Sequence, residues 1–187
     1  EEITETGVVV GGPHYEVDCI IYASGFEVGT PFTERAGFDP AGKGGLRLSQ
    51  RWAEGMRSLH GTHVAGFPNL FIVQPTQGAN LISNVPHNLV EAAATMAAII
   101  AHADSLNAHT VEVTAEAQAD WVALLDAGGR SFGGDPTCTP GYYNNEGKPL
   151  EGDQQLNGGA YIEGPVAYFE FLEQWWKSGE FAGLHFS

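Results

Sequence analysis

An α/β chain with a helical C-terminal half is what this sequence predicts. Short β-branched and apolar runs at residues 7–10 and 15–22 have the composition of strands. A central stretch at 66–88, GFPNLFIVQPTQGANLISNVPHN, reads as a strand, a polar loop and a helix start. Beyond it, apolar residues recur three and four apart, which is the period of a helix face.

Gly7, Val8, Val9 and Val10 form the first strand, and Gly11-Gly12 is a turn signal after it. Residues 15–22, YEVDCIIY, form a second strand, and the two are expected to pair as a hairpin. Cys19 lies inside that apolar run and is expected to be a small core residue. The run ends in Ala23, Ser24, Gly25 and Phe26. Small residues at a strand's C-terminal end allow close backbone approach, where ligands and domain crossings sit in α/β sheets. Residues 27–45 are rich in Gly and Pro and read as a crossing segment between layers. Leu46, Arg47 and Leu48 are expected to be a short strand, and residues 52–60 show no clear period. His60 and His63 have the spacing of a metal pair, but no Cys or carboxylate cluster joins them, so no metal site is assigned.

In the central stretch, Phe67 and residues 70–73 predict a buried strand ending at Gln74-Pro75. Residues 76–80 hold nothing apolar larger than Ala, and Gly78 permits close approach of a ligand. Ser83 or Asn84 then caps a helix, with Pro86 tolerated in its first turn. The first N–H groups of a helix are unpaired, so this start is a candidate site for anionic or acceptor groups. An ordinary strand–loop–helix connection is the plainer alternative.

The helix that follows should bury Leu89, Val90, Ala93, Met96, Ala97, Ile100 and Ala101. Residues 109–113 predict a short strand. Thr114 caps the next helix, with Glu116 in its first turn and Ala117, Trp121, Leu124 and Leu125 on its buried face. Gly128-Gly129 ends it. Residues 131–159 read as a long loop, which in a compact domain is usually functional or covers another domain. Gly164-Pro165 starts a last helix, with Val166, Phe169, Leu172 and Trp176 in one stripe and Tyr168, Phe171 and Trp175 beside it. Gly179 closes that helix, and residues 181–186 return as a short apolar tail.

The 187 residues suit one domain, or one plus part of another. Charged residues make up 17%, below the roughly 25% of an average soluble domain. Part of the surface is therefore expected to be covered by another subunit, a cofactor or further polypeptide. The opening Glu1-Glu2-Ile3 without a Met is expected to be a cut within a larger protein. The net charge of −15 argues against nucleic acid and against anionic membranes. Two cysteines make no disulfide framework. There is no signal-peptide pattern and no apolar run of transmembrane length, and a cytoplasmic location is expected. The chain contains no GxGxxG phosphate fingerprint, and no residue is assigned a catalytic role.

Three segments in order carry a family resemblance. Residues 18–26, DCIIYASGF, resemble the strand ending in ATGF or ATGY of flavin-dependent monooxygenases, with Ser24 in place of Thr. Residues 66–71, GFPNLF, resemble a segment of the same family. Residues 138–147, CTPGYYNNEG, are similar to a C-terminal signature of one group of type I Baeyer–Villiger monooxygenases. The resemblance covers nearly the whole chain but only the C-terminal third of such an enzyme. It implies the C-terminal part of a flavoprotein with two dinucleotide-binding, Rossmann-like domains, using FAD and NADPH to insert one atom of O2 into a ketone. By that mapping, residues 1–22 end the NADPH domain and 23–45 link the domains. Residues 46–130 are the second half of the FAD domain, and 131–187 are a C-terminal loop and helix over the cofactor cleft. The resemblance places Ala23, Ser24, Gly25, Gly78, Asn80, Leu81, Ile82, Ser83, Asn84, Tyr142, Tyr143 and Asn144 at the cofactors, and Leu81 and Ile82 also at the ketone. The FAD and NADPH glycine loops would lie in the missing N-terminal part, so the chain alone is expected to be inactive. The alternatives are a non-catalytic protein-interaction module derived from the FAD domain, or a relative that oxygenates nitrogen or sulfur.

Overall fold

Two small antiparallel sheets and three long helices hold the parts of the chain that a computed structural model describes: residues 1–23, 32–73, 77–78, 84–128, 139–141, 147–149 and 159–187. The first sheet is a meander of β1 (Glu2–Thr4), β2 (Gly7–Val9) and β3 (His14–Glu16). Val8 pairs with Ile3 on one side and with Tyr15 on the other. A Cβ at Gly7 would stand 2.0 Å from the Tyr15 carbonyl oxygen, so only glycine fits this register. The hairpin between β2 and β3 is as the sequence predicts.

The second strand is shorter than predicted. It stops at Glu16, and residues 17–23 are not strand. Val17 donates to the Thr6 carbonyl at 3.2 Å, but Ile21 and Tyr22 are 84% and 76% exposed. Cys19 is correspondingly exposed rather than in a core. A β-branched run becomes a buried strand only where a sheet or a helix covers it, and the described residues supply neither here.

After α1 (Phe32–Ala36), the chain makes a single bridge between Ala41 and Arg47 and enters α2 (Leu48–Arg51). The expected strand over residues 46–48 is thus replaced by a helix start. Asp39 ties that start down, accepting from the Ser49 N–H at 3.1 Å and from the Ser49 hydroxyl at 2.7 Å. Leu48 and Trp52 are fully buried here with Met56, Val64, Phe67 and Ile72.

Residues 67–73 are apolar as predicted but form no strand. Asn69 takes a positive φ of 59°, and the Leu70 N–H turns back to the Phe67 carbonyl. The Asn69 side chain is used instead as a bracket. It donates to the His109 carbonyl at 3.0 Å and accepts from the Val111 N–H at 2.8 Å. A left-handed residue interrupts the extended backbone that a strand requires.

The helix α3 (Val85–Ser105) buries Asn88, Ala92, Thr95, Met96, Ile99 and Ala103. This face lies one step around from the predicted one and shares only Met96 with it. Leu89, Val90 and Ile100 are exposed. An Ala-rich helix can turn its small residues to a neighbour and pack closely, and here the neighbour is α5 (Pro165–Lys177).

β4 (Val111–Val113) pairs antiparallel with β5 (Leu184–Phe186), so the apolar tail closes onto the predicted strand. Between them, α4 (Ala115–Ala127) buries Gln118, Trp121, Val122 and Leu125. Leu124, predicted inside, is exposed. Gln118 takes the inward position because its side-chain oxygen accepts from the Ala65 N–H at 2.8 Å. α5 buries Tyr168, Phe169 and Leu172, while Val166 at its open end is 70% exposed. A core of Leu59, Ala65, Val113, Trp121, Leu125, Tyr168, Phe169 and Leu172 joins α4 and α5 to β4 and to Leu59 and Ala65, just before the central stretch.

Candidate cofactor-facing helix start

The candidate site begins with the cap of α3. The Asn84 side chain accepts from the His87 N–H at 3.3 Å, and its carbonyl accepts from the Asn88 N–H at 3.0 Å. Of the two predicted caps, Asn84 fills the role, with Pro86 in the first turn. Asn84, Val85, Pro86 and His87 are all exposed. No acidic residue lies in this first turn. The positive end of a 21-residue helix is therefore capped but carries no counter-charge in its own first turn. An electron-rich, negatively charging edge of a flat ring fits such an end.

Beside the helix start is a cavity of about 290 Å³ between α3 and α5, lined by His87, Glu91, Pro165, Val166, Phe169, Glu170 and Glu173. His87 meets the Phe169 ring edge-on at 5.2 Å and lies 3.8 Å from Glu91. The carboxylates of this cavity repel an anion, so the cavity does not suit a pyrophosphate. His87, in the first turn of α3, belongs both to the helix start and to the lining of this acidic cavity.

Gly78 is buried, and its missing side chain serves the interior: a Cβ there would come within 2.4 Å of the Tyr168 ring. Ala23 is exposed. Ser24, Gly25, Asn80, Leu81, Ile82, Ser83, Tyr142, Tyr143 and Asn144 lie outside the described residues. Gln77, which the local sequence does not single out, is fully buried. Its amide accepts from the Ser58 hydroxyl and donates to the Met56 carbonyl at 3.0 Å. These partners lie 19 and 21 residues away in sequence, and nothing local signals them.

His60 and His63 are buried, and burial pushes their pKa down to about 3 and about 4; the nearby His63 adds to the effect on His60. His60 packs edge-on against Trp121, Phe171 and Trp175 at 4.7, 5.3 and 4.8 Å. The pair therefore stays neutral inside an aromatic wall. Among the described residues there is no group of three or more His, Cys, Asp or Glu that would hold a metal, and no helix long and apolar enough to cross a membrane.

No family model matches the chain. Neopentalenolactone D synthase of Streptomyces avermitilis is 39% identical over 187 residues, covering 98% of this chain and 31% of that protein. Baeyer–Villiger monooxygenase 4 of a Dietzia species is 37% identical, covering 98% of this chain and 30% of that protein. Among solved structures, an oxidized steroid monooxygenase bound to NADP superimposes with a TM-score of 0.74 at 25% identity, over 98% of this chain and 32% of that one. The chain thus spans about a third of the length of the relatives it matches.

Proposed function

We propose, from the premise that this chain is homologous to about a third of a Baeyer–Villiger monooxygenase, that it belongs to an FAD- and NADPH-dependent enzyme. That enzyme would insert one oxygen atom from O2 into a ketone to give an ester or lactone. The finer architecture, two Rossmann-like dinucleotide-binding domains with this chain as the C-terminal part, is included in the proposal.

When bound, FAD would supply the oxygen-activating and electron-carrying chemistry. This chain's part is electrostatic and steric. The observation that carries the reading is the start of α3: capped by Asn84, exposed, and free of acid in its first turn. Directed at the N1–C2=O rim of the flavin, it would stabilise the charge of the reduced ring by about 0.3–1 kcal/mol if exposed and up to ~2 kcal/mol when partly buried. Leu81 and Ile82 would wall the ketone side, and Tyr142, Tyr143 and Asn144 would cover the nicotinamide dinucleotide. The chain alone contains no GxGxxG loop to hold a pyrophosphate, so it is proposed to be inactive by itself.

The test is spectroscopic and then chemical. The full-length polypeptide carrying this segment should purify yellow, oxidise NADPH in the presence of ketones, and yield an ester or lactone by mass spectrometry. The 187-residue chain should be colourless. A full-length protein that binds no flavin overturns the proposal. One that oxygenates amines or sulfides but no ketone overturns its substrate class.

A further inference from the structure

The residue pair Gln77–Gly78 is held from several directions before the chain reaches Asn84. The Gln77 side chain spends both ends of its amide inside the protein, on Ser58 and on the Met56 carbonyl. Its own carbonyl accepts from the Trp121 indole N–H of α4 at 3.4 Å. The Gly78 carbonyl accepts from the Tyr161 N–H at 2.9 Å. The Gly78 Cα faces the ring of Tyr168 on α5, and the Tyr168 hydroxyl donates to the His60 carbonyl at 2.8 Å. Gly78 has a φ of 146°, which L side chains rarely adopt, so the close ring and the backbone angle both demand glycine.

Packing alone does not call for this chemistry. A buried amide costs free energy unless both its ends are bonded, and an apolar side chain of the same size would fill the space. A fully bonded amide adds a choice of position, because only one placement satisfies every partner. The chain between Gly78 and Asn84 is short and reaches at most about 20 Å when fully extended. The seat of Gln77–Gly78 therefore limits where that chain can deliver the start of α3.

We propose that Gln77 and Tyr168 are positioning residues for the cofactor: together they fix the Gln77–Gly78 seat between Ser58, α4 and α5, and so set the aim of the α3 start. This rests on the reading of that helix start as flavin-facing. A purely structural role would show as lost stability alone. A positioning role changes flavin binding and the flavin's potential while the fold remains intact.

The experiment uses the full-length polypeptide. Gln77→Met keeps the volume and removes both side-chain bonds, and pairing it with Ser58→Ala removes the hydroxyl left behind. The double variant should melt near the wild-type temperature, bind FAD about tenfold more weakly, and show a more negative flavin midpoint potential. Tyr168→Phe keeps the ring on Gly78 but loses the tie to His60, and should change both readouts in the same direction by less. It decides the matter if the double variant fails to fold. Unchanged FAD affinity and potential in folded variants overturn the inference and leave the flavin reading standing. So does a change no greater than that of Leu125→Ala, a core control on α4, at equal loss of melting temperature. A full-length wild type without flavin overturns the flavin reading itself, and this inference with it.

Discussion

Two helix starts in this chain use the same capping chemistry and end differently. At α4, the Thr114 hydroxyl accepts from the Ala117 N–H at 3.2 Å, and Glu116 supplies negative charge in the first turn. The tail closes over it: the Thr114 N–H donates to the Gly183 carbonyl at 3.0 Å, and a Cβ on Gly183 would meet Ala117 at 2.6 Å. At α3, Asn84 caps as well, but its first turn has no acid and stays exposed. Capping is therefore no sign of function, since both helices need it to satisfy their first N–H groups. What distinguishes α3 from α4 is an exposed first turn that carries no acid of its own, where the protein has completed α4 from within.

The largest expected effect tests whether α4 is the structural partner of the pair. Trp121 lies in the main core, bonds Gln77 and walls His60. Trp121→Ala should lose about 3–5 kcal/mol in chemical denaturation. A loss below about 1 kcal/mol would break the assignment of α4 to the core. The second effect is a pH dependence from the same wall. His60 and His63 titrate at about 3 and about 4 when folded, against 6.5 in the ordinary state. Between those values the unfolded chain binds more protons. Stability is thus full above pH 6.5 and is lost as pH falls toward the folded pKa values. At pH 5 the loss is on the order of 2 kcal/mol per histidine. His63→Phe should remove about half of the difference between pH 7 and pH 5.

How much of this was legible in the sequence follows the range of the forces. A cap at Ser83 or Asn84, the Thr114 cap and the Pro165 start are readable because a cap or a helix start is a local matter of a few residues. The β4–β5 pairing is foreshadowed by two apolar runs, and the resemblance of residues 18–26, 66–71 and 138–147 points to the same kind of enzyme as the relatives that comparison found. The buried face of α3 lies one step around from the face its periodicity predicts. Alanine contributes almost equally on every side, so the choice was made by α5, far away in sequence. Residues 17–22 carry the composition of a strand, yet a strand needs a neighbour. Asn69 broke the run at 67–73 through a left-handed turn that its own bonds to His109 and Val111 stabilise. Gln77 gave no local signal, because its burial depends on Ser58 and Met56.

A sharper comparison removes each cap in turn. Asn84→Ala and Thr114→Ala should each cost about 1 kcal/mol of stability. In the full-length, flavin-loaded polypeptide their consequences should separate. Asn84→Ala should also weaken FAD binding severalfold, measured by fluorescence titration, while Thr114→Ala should leave it unchanged. Equal effects on FAD would erase the distinction between the two starts.

The smallest effect is the most direct, because it changes the sign of charge rather than the fold. Val85, the first residue of α3, is exposed, so Val85→Glu places a carboxylate at the positive helix end without burying it. The chain should gain about 0.3–1 kcal/mol, an increment that fades as salt is added. Val85→Gln separates charge from helix propensity, since it shares the straight side chain but not the carboxylate. In the flavin-loaded polypeptide the same carboxylate competes for the helix end and repels the reduced ring. The midpoint potential should then fall for Val85→Glu and not for Val85→Gln. At α4 the matched change is Glu116→Gln, which should cost a similar fraction of a kcal/mol and leave the potential where it was. If Val85→Glu stabilises the chain and the flavin potential does not move, the open end of α3 faces something other than the flavin.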